Sequence, residues 1–146
     1  MEQLLSQALA HLVLTSHHPR TAICVVVQVL SADGALLAAC LHGACLALVH
    51  AGVPLRGILG GCAVSVLPHG EILLDPCAEE ERTAQATVTL VYQCRHRAHG
   101  AMDPLLLLSH LCGHMTEAQF DICRAAGQEA ALAVAMFQQS AMSRSV

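Results

Sequence analysis

A chain of 146 residues with 55% apolar side chains is long enough for one domain with its own core, and 2% aromatics leaves that core to Leu, Val, Ala, Ile and Cys. A net charge of −4 excludes a global electrostatic attraction to nucleic acid and leaves only local basic loops for that purpose. Eight cysteines (Cys24, Cys40, Cys45, Cys62, Cys77, Cys94, Cys112 and Cys123) fall mostly in apolar runs, and the opening Met-Glu-Gln-Leu-Leu lacks a basic leader, which predicts reduced, buried thiols of a cytosolic or nuclear protein rather than a disulfide framework.

Leu4, Leu5, Ala8, Leu9, Leu12 and Val13 recur at helical spacing, with Gln7 and His11 facing away, and predict a first amphipathic helix. Pro19 forbids a continuing helix and biases His18 to extended geometry. Thr21 to Leu30 is β-branched and apolar on both faces, the pattern of an inner strand. Asp33 is placed to cap the first turn of a second helix. Gly34 to Gly52 reads GALLAACLHGACLALVHAG, a helix with only His42 and His50 as clearly polar side chains, so it is expected to be buried across a sheet. Leu41, Cys45 and Leu48 are expected to face that sheet. The uncharged run Ala35 to Leu55 raises a membrane span; Gly43, Gly52, Pro54, the two histidines and the missing Lys/Arg flank oppose it.

Gly57 to Leu67 predicts a strand whose Gly57, Gly60 and Gly61 imply a bulge or a close backbone approach. Pro68-His69-Gly70 is a turn, Glu71 to Leu74 the returning strand, and Asp75-Pro76 opens an acidic loop containing Glu79, Glu80, Glu81 and Arg82. Ala86 to Tyr92 alternates, with Val88, Leu90 and Tyr92 on one face and Thr87, Thr89 and Val91 on the other. After the basic stretch Cys94 to Gly100, Leu105 to Leu111 predicts one more strand. Thr116 and Gln119 form a capping box for a helix running to about Gln139, with Phe120, Cys123, Gly127, Ala130, Val134 and Phe137 as its apolar stripe, followed by a frayed tail at 141–146. Helix, strand, helix, four strands, helix is an α+β order.

Zinc needs four N/S ligands in near-tetrahedral geometry. No Cys-x-x-Cys occurs; Cys94, His96 and His99 fall in a loop, while His110, Cys112 and His114 lie along one strand face, so no metal site is assigned. Arg20, Arg95 and Arg97, with His17 and His18, are candidates for RNA phosphates. No aromatic stacking residues accompany them, and the simpler reading is scattered arginines on solvated loops.

His18-Pro19-Arg20-Thr21, Val29 to Gly34, the Cys40-to-Gly52 helix and Leu73-Leu74-Asp75-Pro76 with its following glutamates resemble, in order and spacing, the RNase PH family over about residues 3–140. The nearest likeness is to the non-catalytic RNase PH-like ring subunits of the eukaryotic RNA exosome. The resemblance implies a ribosomal-protein-S5-domain-2-like α+β fold over residues 1–140, incomplete because the family's opening strands are not matched, with the buried helix and the last helix packed on a mixed sheet. It implies other RNase PH-like exosome subunits as partners, RNA reached indirectly through the ring channel, no membrane and no cofactor. It also implies a place in the nucleus, nucleolus and cytoplasm, supporting 3′-to-5′ RNA processing and decay, including rRNA maturation.

In active relatives two acidic residues of this loop act with a divalent metal, and Asp75 and Glu81 match them; two carboxylates on one loop suit Mg²⁺. The alternative is a strand-end Asp and a solvated acidic turn. Active relatives also carry Gly-Gly-Thr-Arg at the start of the central helix, where a helix N-terminus and an Arg hold phosphate. Here the stretch reads Gly34-Ala35-Leu36-Leu37. Leucine holds no phosphate, so the resemblance implies a structural subunit with no catalytic residue, in which Asp75 and Glu81 are vestigial. The alternatives are an active phosphate-dependent 3′-to-5′ exoribonuclease and a fragment that folds poorly alone.

Overall fold

The computed structural model describes residues 1–96 and 102–144. Helix α1 (Glu2–Leu12) buries Ala8 and Leu12 and ends where Val13 forms a single bridge with Leu55. A short 3-10 turn (Thr15–His17) follows, then α2 (Leu36–His50), β1 (Ile58–Val66), β2 (Ile72–Leu74), α3 (Ala78–Thr83), β3 (Ala86–His96), β4 (Met102–Gly113) and α4 (Glu117–Ser143). The four strands form one sheet in the order β2-β1-β3-β4, and every pairing is antiparallel.

The sheet divides the core into two apolar clusters. On one face Val64, Val88, Leu90 and Tyr92 meet Cys123, Ala131 and Ala135 of α4. On the other, Leu59 and Val91 meet Leu37, Leu41 and Cys45 of α2 and Ala8 and Leu12 of α1. The period-2 alternation of β3 therefore sends its two side-chain sets to two different helical layers. The expected α+β class, buried central helix and C-terminal helix are all present. Leu41 and Cys45 pack with Leu59 and Val91 of the sheet as expected, whereas Leu48, also buried, lies outside that cluster.

Glycine sets the spacing of these layers. A Cβ on Gly60 would collide with the carbonyl oxygen of Ala131, so α4 crosses β1 with backbone nearly touching backbone. The glycines of β1 thus mark close approach; the one register irregularity of the sheet lies between Val91 and Tyr92, in the β3–β4 pairing.

Several sequence expectations are corrected. Residues 21–30 are not an inner strand: no strand among the described residues pairs with them, and Val26 and Leu30 are 86% and 91% exposed. The sheet is consequently antiparallel throughout rather than mixed. The acidic loop is the helix α3, because Glu80 accepts the Cys77 N–H (2.8 Å) in a capping box. Strands β3 and β4 extend beyond Tyr92 and beyond both ends of 105–111, since they pair with each other from Ala86–Gly113 to His96–Met102. Of the basic stretch 94–100, residues 97–100 lie outside the described residues, Arg97 and His99 among them.

Helix α4 opens as expected, with the Gln119 N–H donating to Thr116 Oγ1, but continues to Ser143, past Gln139 and into the expected tail. Its buried stripe is Cys123, Gly127, Ala131, Ala135 and Gln138; Phe137 is 71% exposed. Ala131 sits at the Gly60 crossing, Phe120 and Ala130 pack against the same core, and Phe137 is turned outward.

Candidate functional site at the start of the central helix

Two loops meet at the N-terminus of α2. Residues 33–35 lead into α2, and residues 75–77 lead from β2 into α3. Gly34, Ala35 and Asp75 all have left-handed backbone, with φ of +87°, +47° and +54°. A non-glycine residue held there costs about 1–3 kcal/mol, so surrounding contacts must impose it.

Those contacts are reciprocal. The Ala35 N–H at the entry to α2 donates to Glu81 Oε1 of α3 (2.9 Å), and the Ala78 N–H in the first turn of α3 donates to Asp33 Oδ1 (3.2 Å). Helix α3 thus supplies a carboxylate to the entry of α2, and the loop before α2 supplies one to the first turn of α3. Asp33, expected to cap α2, is turned instead to α3. Gly34 lies so close beneath residues 76 and 77 that a Cβ would collide with the Pro76 carbonyl oxygen.

Beside this junction a cleft of about 310 Å³ opens between α2, β1 and α4, lined by Ala35, His42, Cys62, Asp75 and Val134 among others. His42 Nε2 accepts the Gly61 N–H at 2.7 Å. Acceptance requires an unprotonated Nε2, so the ring is neutral with its proton on Nδ1. Burial lowers its pKa below the ordinary 6.5, and the negative charge of Asp75 only partly opposes that. Burial likewise pushes the Cys62 thiol up to about 11, which leaves it protonated and unreactive at neutral pH. His42 was absent from the sequence-derived candidates. Its signal was a lone imidazole on an apolar helix opposite the Gly60-Gly61 pair, where missing side chains let a ring reach the backbone.

The two sequence-matched carboxylates part company here. Asp75 is exposed at the cleft mouth, whereas Glu81 is half-buried and bonded to Ala35. Among the described residues no three His, Cys, Asp or Glu side chains gather around one point. Leu37 is buried with Leu41, Cys45 and Leu59 in the core, and Leu36 is half-buried beside it. No Lys or Arg lines the cleft among the described residues.

The RNA candidates are not brought together with this site. Arg20 is exposed after the 3-10 turn with φ +61°. Arg95 is exposed near the end of β3 and donates to Gln93 Oε1 (2.9 Å). The strand-face trio gives one long contact, Cys112 Sγ to His110 Nδ1 at 3.9 Å. None of the helices is long and apolar enough to cross a membrane among the described residues.

Comparison with known proteins bears on the family and the fold. Residues 1–54 match domain 1 and residues 57–130 match domain 2 of the 3′ exoribonuclease family, RNase PH. The chain is 28% identical to the rice "Exosome complex exonuclease RRP46 homolog" over 98% of its own length and 64% of that protein. It is 33% identical to the "Exosome complex component Rrp41" of Archaeoglobus fulgidus over 86% of its length and 47% of that relative. The crystal structure of rice Rrp46 superposes with a TM-score of 0.87 and 30% identity, covering 97% of this chain and 63% of that one. The chain therefore spans from about half to just under two thirds of the length of these relatives. With both halves matched in order and a shared RNase PH-like α+β fold, the chain belongs to the 3′ exoribonuclease family.

Proposed function

We propose that the chain is a non-catalytic structural subunit of an exosome-type ring of RNase PH-like subunits, supporting 3′-to-5′ RNA processing and degradation, rRNA maturation included. The carrying observation is the state of the α2 N-terminus: Leu37 is buried in the core and the Ala35 N–H is bound to Glu81. Phosphorolysis requires inorganic phosphate held as nucleophile, for which a helix N-terminus and a guanidinium are the physical means. Here an apolar side chain and an internal carboxylate stand in those places. Positioning of a nucleophile supplies about 7–11 kcal/mol of barrier reduction, and no residue lining the cleft restores it. The names of the rice and archaeal relatives support membership in an exosome assembly. In this reading the partners are other RNase PH-like subunits, RNA is met indirectly in the ring channel, Arg20, Arg95 and Arg97 remain the candidates for contacting it, and the protein resides in the nucleus, nucleolus and cytoplasm.

The test is purification of the tagged chain from its own cells. Recovery of other RNase PH-like subunits in stoichiometric amounts is expected, with a fluorescent fusion marking nucleoli. Recovery of the chain alone from cells in which those subunits are abundant would sink the proposal.

A further inference from the structure

Strand β2 stops at Leu74 after 3 residues, while β1 has 9 and runs on from Val64 back to Ile58. Beyond the paired residues a last bond joins them, the Asp75 N–H donated to the Ala63 carbonyl (2.9 Å). The left-handed backbone of Asp75 then turns the chain away. Residues two apart on a strand direct their N–H groups to the same side, so the amides of Gly61 and Leu59 face the side that β2 has vacated. Both residues are buried, and β3 pairs with β1 along its other side. Helix α2 meets both donors. The Gly61 N–H goes to His42 Nε2 at 2.7 Å, and the Leu59 N–H to Cys45 Sγ at 3.5 Å. Three residues of helix rise about 4.5 Å and two of strand about 6.8 Å, a difference that side chains span. Of the two polar side chains of α2, His50 is exposed and His42 is turned to this edge. The approach is close, since a Cβ on Gly61 would stand 3.2 Å from His42 Nε2.

We propose that His42 and Cys45 form an edge guard, two side-chain acceptors that stand where a strand is missing and keep β1 from pairing with the β1 edge of a second copy of this chain. Three observations carry it. Buried N–H groups require partners, and here side chains supply what a strand would. The edge is not closed by bulk: the cleft of about 310 Å³ opens along it between α2 and α4, lined by Gly61, Leu74 and Val134 among others. Gly60 and Gly61 present no side chain to fend off an incoming backbone, and a glycine-rich strand specifies its register weakly. An unguarded row of strand donors is a template for pairing, and two copies of one chain offer each other the same edge about a twofold axis. The guard does not depend on the ring-subunit reading, since it concerns α2 and β1 alone.

Residue-resolved hydrogen exchange of the whole chain tests the proposal. His42→Leu keeps bulk and removes the acceptor, whereas His42→Gln keeps an acceptor. In His42→Leu at low chain concentration the Gly61 amide is expected to exchange about tenfold faster than in the parent, and to regain protection as concentration rises. The parent and His42→Gln are expected to keep Gly61 protected at every concentration. Cys45→Val is expected to act likewise at Leu59 but more weakly, sulfur being a poor acceptor. Gly61 protection in His42→Leu equal to that of the parent would overturn the guard, as would equal exchange in the Leu and Gln variants. Fast exchange that concentration does not slow would make His42 a tether between helix and strand, and the proposal would fall. The unmodified chain supplies a second measurement that needs no variant to fold. In low denaturant the Gly61 and Leu59 amides are expected to open together with those of α2, before the Cys62 amide that faces β3. Opening in step with Cys62 would show that α2 does not hold the edge, and would equally overturn it.

Discussion

Glu81 and Ala35, 46 positions apart in sequence, are joined by a 2.9 Å bond from backbone amide to carboxylate. A residue whose place in the chain suggests a catalytic acid therefore serves as a helix cap. Glu81→Ala is expected to destabilise the fold by about 0.5–2 kcal/mol, the usual cost of losing a cap. Asp33→Ala breaks the return bond to Ala78 and is expected to cost less, because that bond is exposed and 3.2 Å long. Denaturant titration of both single variants and the double variant measures the coupling. Strict additivity would show that the two loops do not clamp one another.

Gly60 is the point where α4 touches the sheet. Gly60→Ala adds one methyl against the Ala131 carbonyl, and backbone cannot step aside as a flexible side chain does. The expected loss is about 1–3 kcal/mol, read as a lowered denaturation midpoint. An unchanged midpoint would place α4 farther from β1.

Leu48 is buried in α2 with 4% of its surface accessible. Leu48→Asp puts an unpaired carboxylate there, at a cost of several kcal/mol, comparable to the stability of a small domain. Loss of soluble, cooperatively unfolding protein is expected; a normal unfolding transition would mean that this face of α2 is open to water.

His42 makes stability depend on pH in one direction. Its folded pKa lies below 6.5, so on acidification the unfolded chain takes up a proton before the native one does. The contribution is complete above pH 6.5 and is lost as pH falls from there through the folded value. His42→Gln keeps an acceptor for the Gly61 N–H and removes the titration. The unfolding midpoint of the parent is expected to fall more steeply than that of the variant between pH 7.5 and 5. Parallel profiles would show that His42 does not titrate differently on folding.

Incubated with single-stranded RNA, Mg²⁺ and inorganic phosphate, the chain is expected to release no nucleoside diphosphates, and Asp75→Asn is expected to change nothing. Phosphate-dependent product that vanishes in Asp75→Asn would replace the structural reading with the enzymatic one.

The elements legible in the sequence were α1 and β3, through their periodicity, α2 and β1, through apolar runs bounded by Gly and Pro, and the capped start of α4. Residues 21–30 misled because β-branched apolar composition signals a strand, whereas becoming one requires a neighbour with free backbone groups. The stripe of α4 held in its first half, where Cys123 and Gly127 are buried and Phe120 and Ala130 pack against the core, and slipped toward its end, where Ala131, Ala135 and Gln138 are buried and Phe137 is exposed. At the site, Asp75 and Glu81 could be located by spacing. That Glu81 was already bonded, and that His42 held Gly61, depended on contacts between segments 46 and 19 positions apart.

The order β2-β1-β3-β4 leaves β1 and β3 laddered on both sides, with α4 on one face and α1 and α2 on the other. Because α1 and α2 meet the sheet mainly through apolar contacts while β1 and β3 share a hydrogen-bonded ladder from Ile58–Cys94 to Val66–Ala86, force applied at the first residues is expected to peel the helical layer away before the ladder parts. The protein is built like a hinged cover over a braced panel, and force applied at its front opens the cover before it tears the panel.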